Sequence, residues 1–275
     1  MLKRTITAIV ALAIFIPVLY FSDTFIFPAA MAFLSLIATF EMIKCVGLEK
    51  NIPVSVFSYL TAGVLPLLPL LYPDNSIYLI LCGCVIYMII MFALTVFSHG
   101  KLDYTISASA FMSVFYISVS FSCIVLLRGE GRYLYLLVFI GPWMSDTFAY
   151  IFGRLLGRNK LIPNVSPKKT VEGSIAGVIF AAISFVLYAL IIKTFFDKTA
   201  TPHYILMAMS GAVVSVISQI GDLTASVIKR RFGIKDYGWI FPGHGGVMDR
   251  FDSVILTAPV LYIISQIPIF DNILI

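Results

Sequence analysis

Apolar residues run along the chain in blocks of about twenty, each closed by a short polar or turn-forming stretch. The breaks are Ser22-Asp23, Gly47 to Pro53, Pro73-Asp74-Asn75, His99 to Asp103 and Arg128 to Arg132, followed by longer polar stretches at 154–173 and 229–249. A helix rises about 1.5 Å per residue, so about twenty apolar residues cross the hydrocarbon core of a bilayer. The pattern predicts nine transmembrane helices, at 5–21, 24–44, 54–72, 77–97, 105–127, 133–153, 174–194, 203–228 and 250–269. The first four are nearly featureless, and their phenylalanines and methionines read as lipid-facing or packing residues. Met1-Leu2-Lys3-Arg4 before an apolar run imitates a signal peptide, but no small-x-small cleavage pattern follows Tyr20. This start is expected to be a first membrane helix that stays attached.

Composition agrees with the pattern. Of 275 residues, 60% are hydrophobic and 12% charged, against about 25% charged in ordinary soluble domains. The expected fold is therefore an all-α polytopic membrane protein forming one domain, 1–275. Residues 1–130 are a helical part with few polar groups, and 131–275 carry the chemistry. The four cysteines, Cys45, Cys82, Cys84 and Cys123, have no zinc-like or redox spacing and are expected to be packing residues. With nine spans the termini lie on opposite sides. Fifteen of the nineteen Lys and Arg residues then share the side of the N-terminus, leaving Arg128, Arg132, Lys193 and Lys198 on the other. By the positive-inside rule the N-terminus is cytoplasmic and the C-terminus outside.

That topology puts both long polar stretches on the cytoplasmic face, and carboxylates flank them. Asp146 and Asp222 each fall about two turns inside a span, roughly 10 Å below the helix end. Asp249 and Asp252 open the last span three residues apart, on one helical face. An ionised carboxylate at such depth needs a cation, a hydrogen-bond partner or water. A salt bridge to a neighbouring Lys or Arg would suffice for any one of them. Several converging on one basic mouth point instead to a divalent-metal site, and an oxygen-rich site suits magnesium. The loops have the composition of phosphate handlers. Ser166-Pro167-Lys168-Lys169-Thr170 supplies two ammonium groups and two hydroxyls, and Lys229, Arg230, Arg231 and Lys235 add four cations. Gly243-His244-Gly245-Gly246 lets backbone N–H groups approach an anion. A topology signal, a lipid-headgroup patch and a plain tight turn are the bland readings of these same features.

The run from Ser226 through Lys229-Arg230, Lys235-Asp236, Gly238, Pro242, His244-Gly245-Gly246 and Asp249-Arg250 to Asp252 resembles the signature of the phosphatidate cytidylyltransferases (CDP-diacylglycerol synthases) at every fixed position. Ser145-Asp146-Thr147, Ala149-Tyr150, Gly153-Arg154, the stretch Ser166 to Gly173, and Gln219-Ile220-Gly221-Asp222-Leu223 resemble the same family. The motifs cover roughly 143–253. Upstream only Arg4 and Glu41 match as plausible family positions.

The resemblance implies a membrane homodimer that transfers CMP from CTP to phosphatidic acid, with magnesium as cofactor and a second, monovalent cation left open. It implies Asp222 and Asp249 as metal ligands, with Asp146 and Asp252 as further candidates. Asp222, Asp249, Lys168 and Arg250 would carry catalysis. Asp146, Ser166, Lys168, Lys169, Thr170, Ser226, Lys229, Arg230, Lys235, His244, Gly245 and Gly246 would bind substrate. The expected setting is a bacterial cytoplasmic membrane with the site facing the cytoplasm, and no nucleic-acid partner is expected. Two rival readings are a cytidylyltransferase for another lipid phosphate and an ion-coupled transporter. A transporter places acidic sites near the bilayer midplane within repeat symmetry, whereas here the polar groups gather at one face. Glu172 stays open between a supporting carboxylate and a favourable charge at a helix start, and His244 between a structural role and proton transfer.

Overall fold

Inside a bilayer a backbone must satisfy its own polar groups, and a single segment does so only as a helix. The apolar blocks take that form in the computed structural model, which describes residues 2–243 and 245–267. In chain order the helices are α1 (Leu2–Tyr20), α2 (Ile26–Cys45), α3 (Ile52–Val64), α4 (Leu68–Leu71), α5 (Ser76–Phe97), α6 (Tyr104–Glu130), α7 (Leu137–Leu155), α8 (Val171–Ile191), α9 (Tyr204–Arg231) and α10 (Met248–Ser265). A 3-10 turn at Leu65–Leu67 joins α3 to α4, where Pro66 and Pro69 each lack the N–H a continuous helix requires.

Among the described residues seven helical runs are long and apolar enough to cross a membrane: Ile26–Cys45, Ile52–Leu71, Pro73–Phe97, Tyr104–Glu130, Leu134–Leu155, Val171–Phe196 and Tyr204–Arg231. These match the second to eighth expected spans, and the protein is an all-α polytopic membrane protein. For the first expected span the apolar portion is shorter, Ile9–Tyr20. Helix α10 begins with a charged turn and is described to Ser265, so the end of the expected span at 269 lies outside the described residues. One element was not expected. The stretch 154–173 folds back as an antiparallel hairpin of β1 (Lys160–Ile162) and β2 (Ser166–Thr170), pairing Lys160 with Thr170 and Ile162 with Ser166.

The chain parts into two compact units. Unit 1 holds the residues up to Leu126 together with Arg231–Phe251. Its core joins Ile43 and Val46 at the end of α2 to Val54, Tyr87, Met91, Ala110 and Val114. The Tyr87 hydroxyl, buried with them, is paired with Ser58 Oγ at 2.8 Å. Unit 2 holds Leu127–Arg230 and the chain from Asp252 onward. There α7 and α8 pack along their length, with the Phe148 and Phe180 rings stacked 4.1 Å apart. On α8 the residues Ile175, Ile179, Ile183 and Leu187 recur every fourth position and are all about half exposed. Such a stripe is a liability in water and an ordinary lipid-facing surface in a bilayer. All four cysteines are free thiols, with Cys84 and Cys123 buried, in keeping with packing roles.

Candidate active site

Three carboxylates come together in unit 2. Helix α7 presents Asp146, α9 presents Asp222 and the second turn of α10 presents Asp252, and the three are electrostatic neighbours of one another. The Lys169 ammonium, from the end of β2, forms an ion pair with Asp222 Oδ2. Lys229 is a further positive neighbour of Asp252. Ser253 Oγ lies 3.4 Å from Asp146 Oδ2 and 3.5 Å from Asp252 Oδ1, long hydrogen bonds that bridge the two.

A buried network fixes the three helices beneath this cluster. Ser145, beside Asp146, pairs its hydroxyl with Ser215 at 2.7 Å. Gln219, one turn before Asp222, donates from Nε2 to the Ser174 carbonyl at 3.2 Å and to Ser215 Oγ at 3.3 Å. Its Oε1 accepts from Ser174 Oγ. One amide side chain thus ties α7, α8 and α9 together where their functional residues emerge.

The hairpin side is equally determined. Thr170 Oγ1 accepts the Gly173 N–H at 3.2 Å and so caps α8. Its side chain is buried, so it serves first as a structural pivot. Glu172 Oε1 accepts the backbone N–H (3.1 Å) and the side-chain amide (2.9 Å) of Asn159, closing the loop between α7 and α8. Lys168 and Arg230 are exposed, whereas Ser166 and Ser226 are half-buried.

Unit 1 holds the glycine loop and the first turn of α10. Gly243 and Gly245 adopt positive φ, at 78° and 84°, and the Phe241 N–H donates to the Gly245 carbonyl at 2.9 Å to close the turn. Asp249 is buried, and its Oδ2 accepts the Tyr237 N–H at 2.7 Å and the Gly246 N–H at 3.0 Å. Glu41, from α2, accepts the Val247 N–H at 3.0 Å and the Met248 N–H at 2.8 Å. Lys235 and Arg250 are exposed. His244 lies outside the described residues, as does the side chain of Arg4.

Within unit 2 Asp222 is paired with Lys169 and has Asp146 and Asp252 as acidic neighbours. Within unit 1 the Gly246 N–H of the glycine loop is given to Asp249. Sequence reasoning did not single out Ser253 or Ser174 for a role at the site; each bears a short side chain whose importance depends on what it faces.

The chemistry of the donor set fits magnesium. Three carboxylates face the paired cation Lys169 and the nearby Lys229, and all the acidic donors are hard oxygens. Among the described residues no three His, Cys, Asp or Glu side chains stand close enough to hold an ion by themselves. Magnesium ordinarily takes one or two carboxylates and completes its shell with water and substrate phosphate.

The sequence profile of the cytidylyltransferase family matches residues 2–268. The chain is 36% identical over 265 residues to the phosphatidate cytidylyltransferase of Staphylococcus haemolyticus, covering 95% of this chain and 97% of that protein. It is 35% identical over 261 residues to the protein of that name in Staphylococcus epidermidis, and 34% over 269 residues to that of Staphylococcus saprophyticus, with the same coverage. A match across both motif-bearing loops and the apolar first half establishes the assignment: this chain belongs to the cytidylyltransferase family.

Proposed function

We propose that the protein is a CTP:phosphatidate cytidylyltransferase, joining CTP to phosphatidic acid to give CDP-diacylglycerol and pyrophosphate. The observation that carries this reading is the grouping of Asp146, Asp222 and Asp252 with Lys169 in a chain whose full-length relatives bear that enzyme name. A phosphate oxygen of phosphatidate attacks the α-phosphorus of CTP, and the bond from that phosphorus to the bridging oxygen of the β-phosphate breaks. Pyrophosphate leaves with the electron pair. The attacking phosphate monoester is largely dianionic near neutrality, so no strong general base is required.

The protein's task is to bring two anions together. Lys168, Lys169, Lys229, Arg230 and Arg250 supply fixed positive charge for the triphosphate and the lipid phosphate. Asp222, with Asp146 or Asp252, would hold magnesium, which would supply charge neutralisation on the phosphates. The Lys169–Asp222 pair keeps the ammonium in place before substrate arrives, and the Gln219 network fixes the helices from which Asp146 and Asp222 project. The nucleotide enters from the cytoplasm, and the lipid keeps its tails in the bilayer of a bacterial inner membrane. The working unit is a homodimer.

The test is product formation by detergent-purified protein given phosphatidic acid, labelled CTP and magnesium. CDP-diacylglycerol made with magnesium and not with EDTA is the expected result. No product from phosphatidic acid, but turnover of another lipid phosphate, would move the assignment to that substrate.

A further inference from the structure

Glu41 is the one acidic residue of α2, and it is only 2% exposed. A buried carboxylate is unfavourable unless hydrogen-bonded, and here the donors come from 206 and 207 positions away, the N–H groups of Val247 and Met248. The loop is shaped to receive it. A Cβ placed on Gly238 or on Gly246 would collide with the Glu41 carboxylate, so glycine stands at both points where Glu41 rests. Asp249 takes the preceding amide, Gly246, together with that of Tyr237. Three consecutive N–H groups, 246 to 248, therefore go to two carboxylates from different elements. The loop between Tyr237 and Met248 is held at both of its ends.

A helix start needs only one local cap. The second carboxylate, from α2, does something a local cap does not: it fixes where α10 begins within unit 1. The residues set by that choice are Asp249 and Arg250, in the first turn of α10, together with the loop that carries Lys235. We infer that Glu41 is a positioning residue for cytidylyl transfer, acting through the Val247 and Met248 amides to hold the nucleotide-binding side chains of the glycine loop and the α10 start. This rests on the function proposed above. It also gives the N-terminal helices a part in the chemistry beyond anchoring. With Glu41 changed, the loop samples more arrangements, and the nucleotide must select the competent one at a loss of apparent affinity.

Glu41→Gln keeps one acceptor oxygen and turns an NH2 toward a backbone N–H. The expected result is a KM for CTP raised about tenfold, with kcat within about threefold and KM for phosphatidate unchanged, and partial recovery in Glu41→Asp. Gly246→Ala, which presses on Glu41 from the loop side, is expected to give the same split and keeps the test open if Glu41→Gln folds poorly. Amide exchange at Val247 and Met248 should quicken in Glu41→Gln, a readout that needs no substrate. Unchanged KM for CTP together with unchanged exchange would overturn the inference. So would an even fall in kcat and both affinities accompanied by a lower melting temperature, the mark of a merely structural residue. If the wild type makes no CDP-diacylglycerol, the enzymatic reading fails and the exchange measurement still decides whether Glu41 holds the loop.

Discussion

At the scale of single residues, the Lys169–Asp222 pair separates stability from activity. Both side chains are about a quarter exposed, so solvent screens the pair and its contribution to folding is small, on the order of 1 kcal/mol or less. Its value lies in holding one ammonium beside one carboxylate at the place proposed for phosphate and metal. Asp222→Asn and Lys169→Met are each expected to lower kcat/KM at least 100-fold, about 2.7 kcal/mol of transition-state stabilisation, while the melting temperature in detergent stays within a few degrees. The double variant should lose little more than either single one, because the residues act as a unit. Initial rates and thermal unfolding on the same preparations check this, and a large loss of melting temperature would mark the pair as structural instead. Asp146 and Asp222 were legible in the sequence because a carboxylate within an apolar run is costly and calls for an explanation. The engagement of Asp249 was not legible, since which way a side chain turns on the first helical turn depends on amides of a loop whose path the sequence does not state. Glu41 showed the same limit, its donors lying more than two hundred positions away.

At the scale of elements, the apolar blocks translated into helices almost without loss, since in lipid the backbone has few alternatives. The hairpin β1–β2 escaped notice because its strands are three and five residues long and its β2 sequence, Ser-Pro-Lys-Lys-Thr, carries no alternating pattern. Helix packing was equally hidden. Where α9 crosses α8, a Cβ on Gly211 would sit 2.8 Å from the Ala181 carbonyl oxygen and 2.9 Å from the Ala182 Cα, both backbone atoms. Backbone cannot step aside as a flexible side chain can, so even Gly211→Ala must push the helices apart. The expected effect is a loss of about 1–3 kcal/mol, read as a lower melting temperature in detergent. Gly129→Ala, with nothing within 4 Å of the added Cβ, is the matching control and should be neutral or slightly stabilising. Equal melting of the two variants would show that α8 and α9 do not meet at Gly211 as described. Activity should fall with stability in Gly211→Ala, because α8 and α9 carry Ser174, Gln219 and Asp222.

At the scale of the whole molecule, orientation is the property that charge predicts and coordinates alone do not. Seven runs are long and apolar enough to span, and α1 and α10 complete the nine on which the charge count rests. If all nine cross, fifteen Lys and Arg residues share the N-terminal side and four lie opposite. The position of the short loop between α8 and α9 then follows. In a variant with Cys45, Cys82, Cys84 and Cys123 replaced by alanine, a cysteine at Lys198 should react with an impermeant maleimide on intact cells. One at Lys101 or at Lys235 should react only after the membrane is opened. Labelling of Lys101 and Lys235 sites in intact cells would reverse the orientation and turn the proposed site away from cytoplasmic CTP. A cysteine at Lys3 adds the finer distinction. Protected in intact cells, it places α1 across the bilayer; labelled in intact cells together with the Lys198 site, it leaves α1 uncrossed, with the N-terminus outside. In that second case eight spans remain, and the active-site loops keep their side because every helix from α2 onward is unaffected. The cytoplasmic placement of the chemistry therefore depends on the seven long runs and not on either terminal helix.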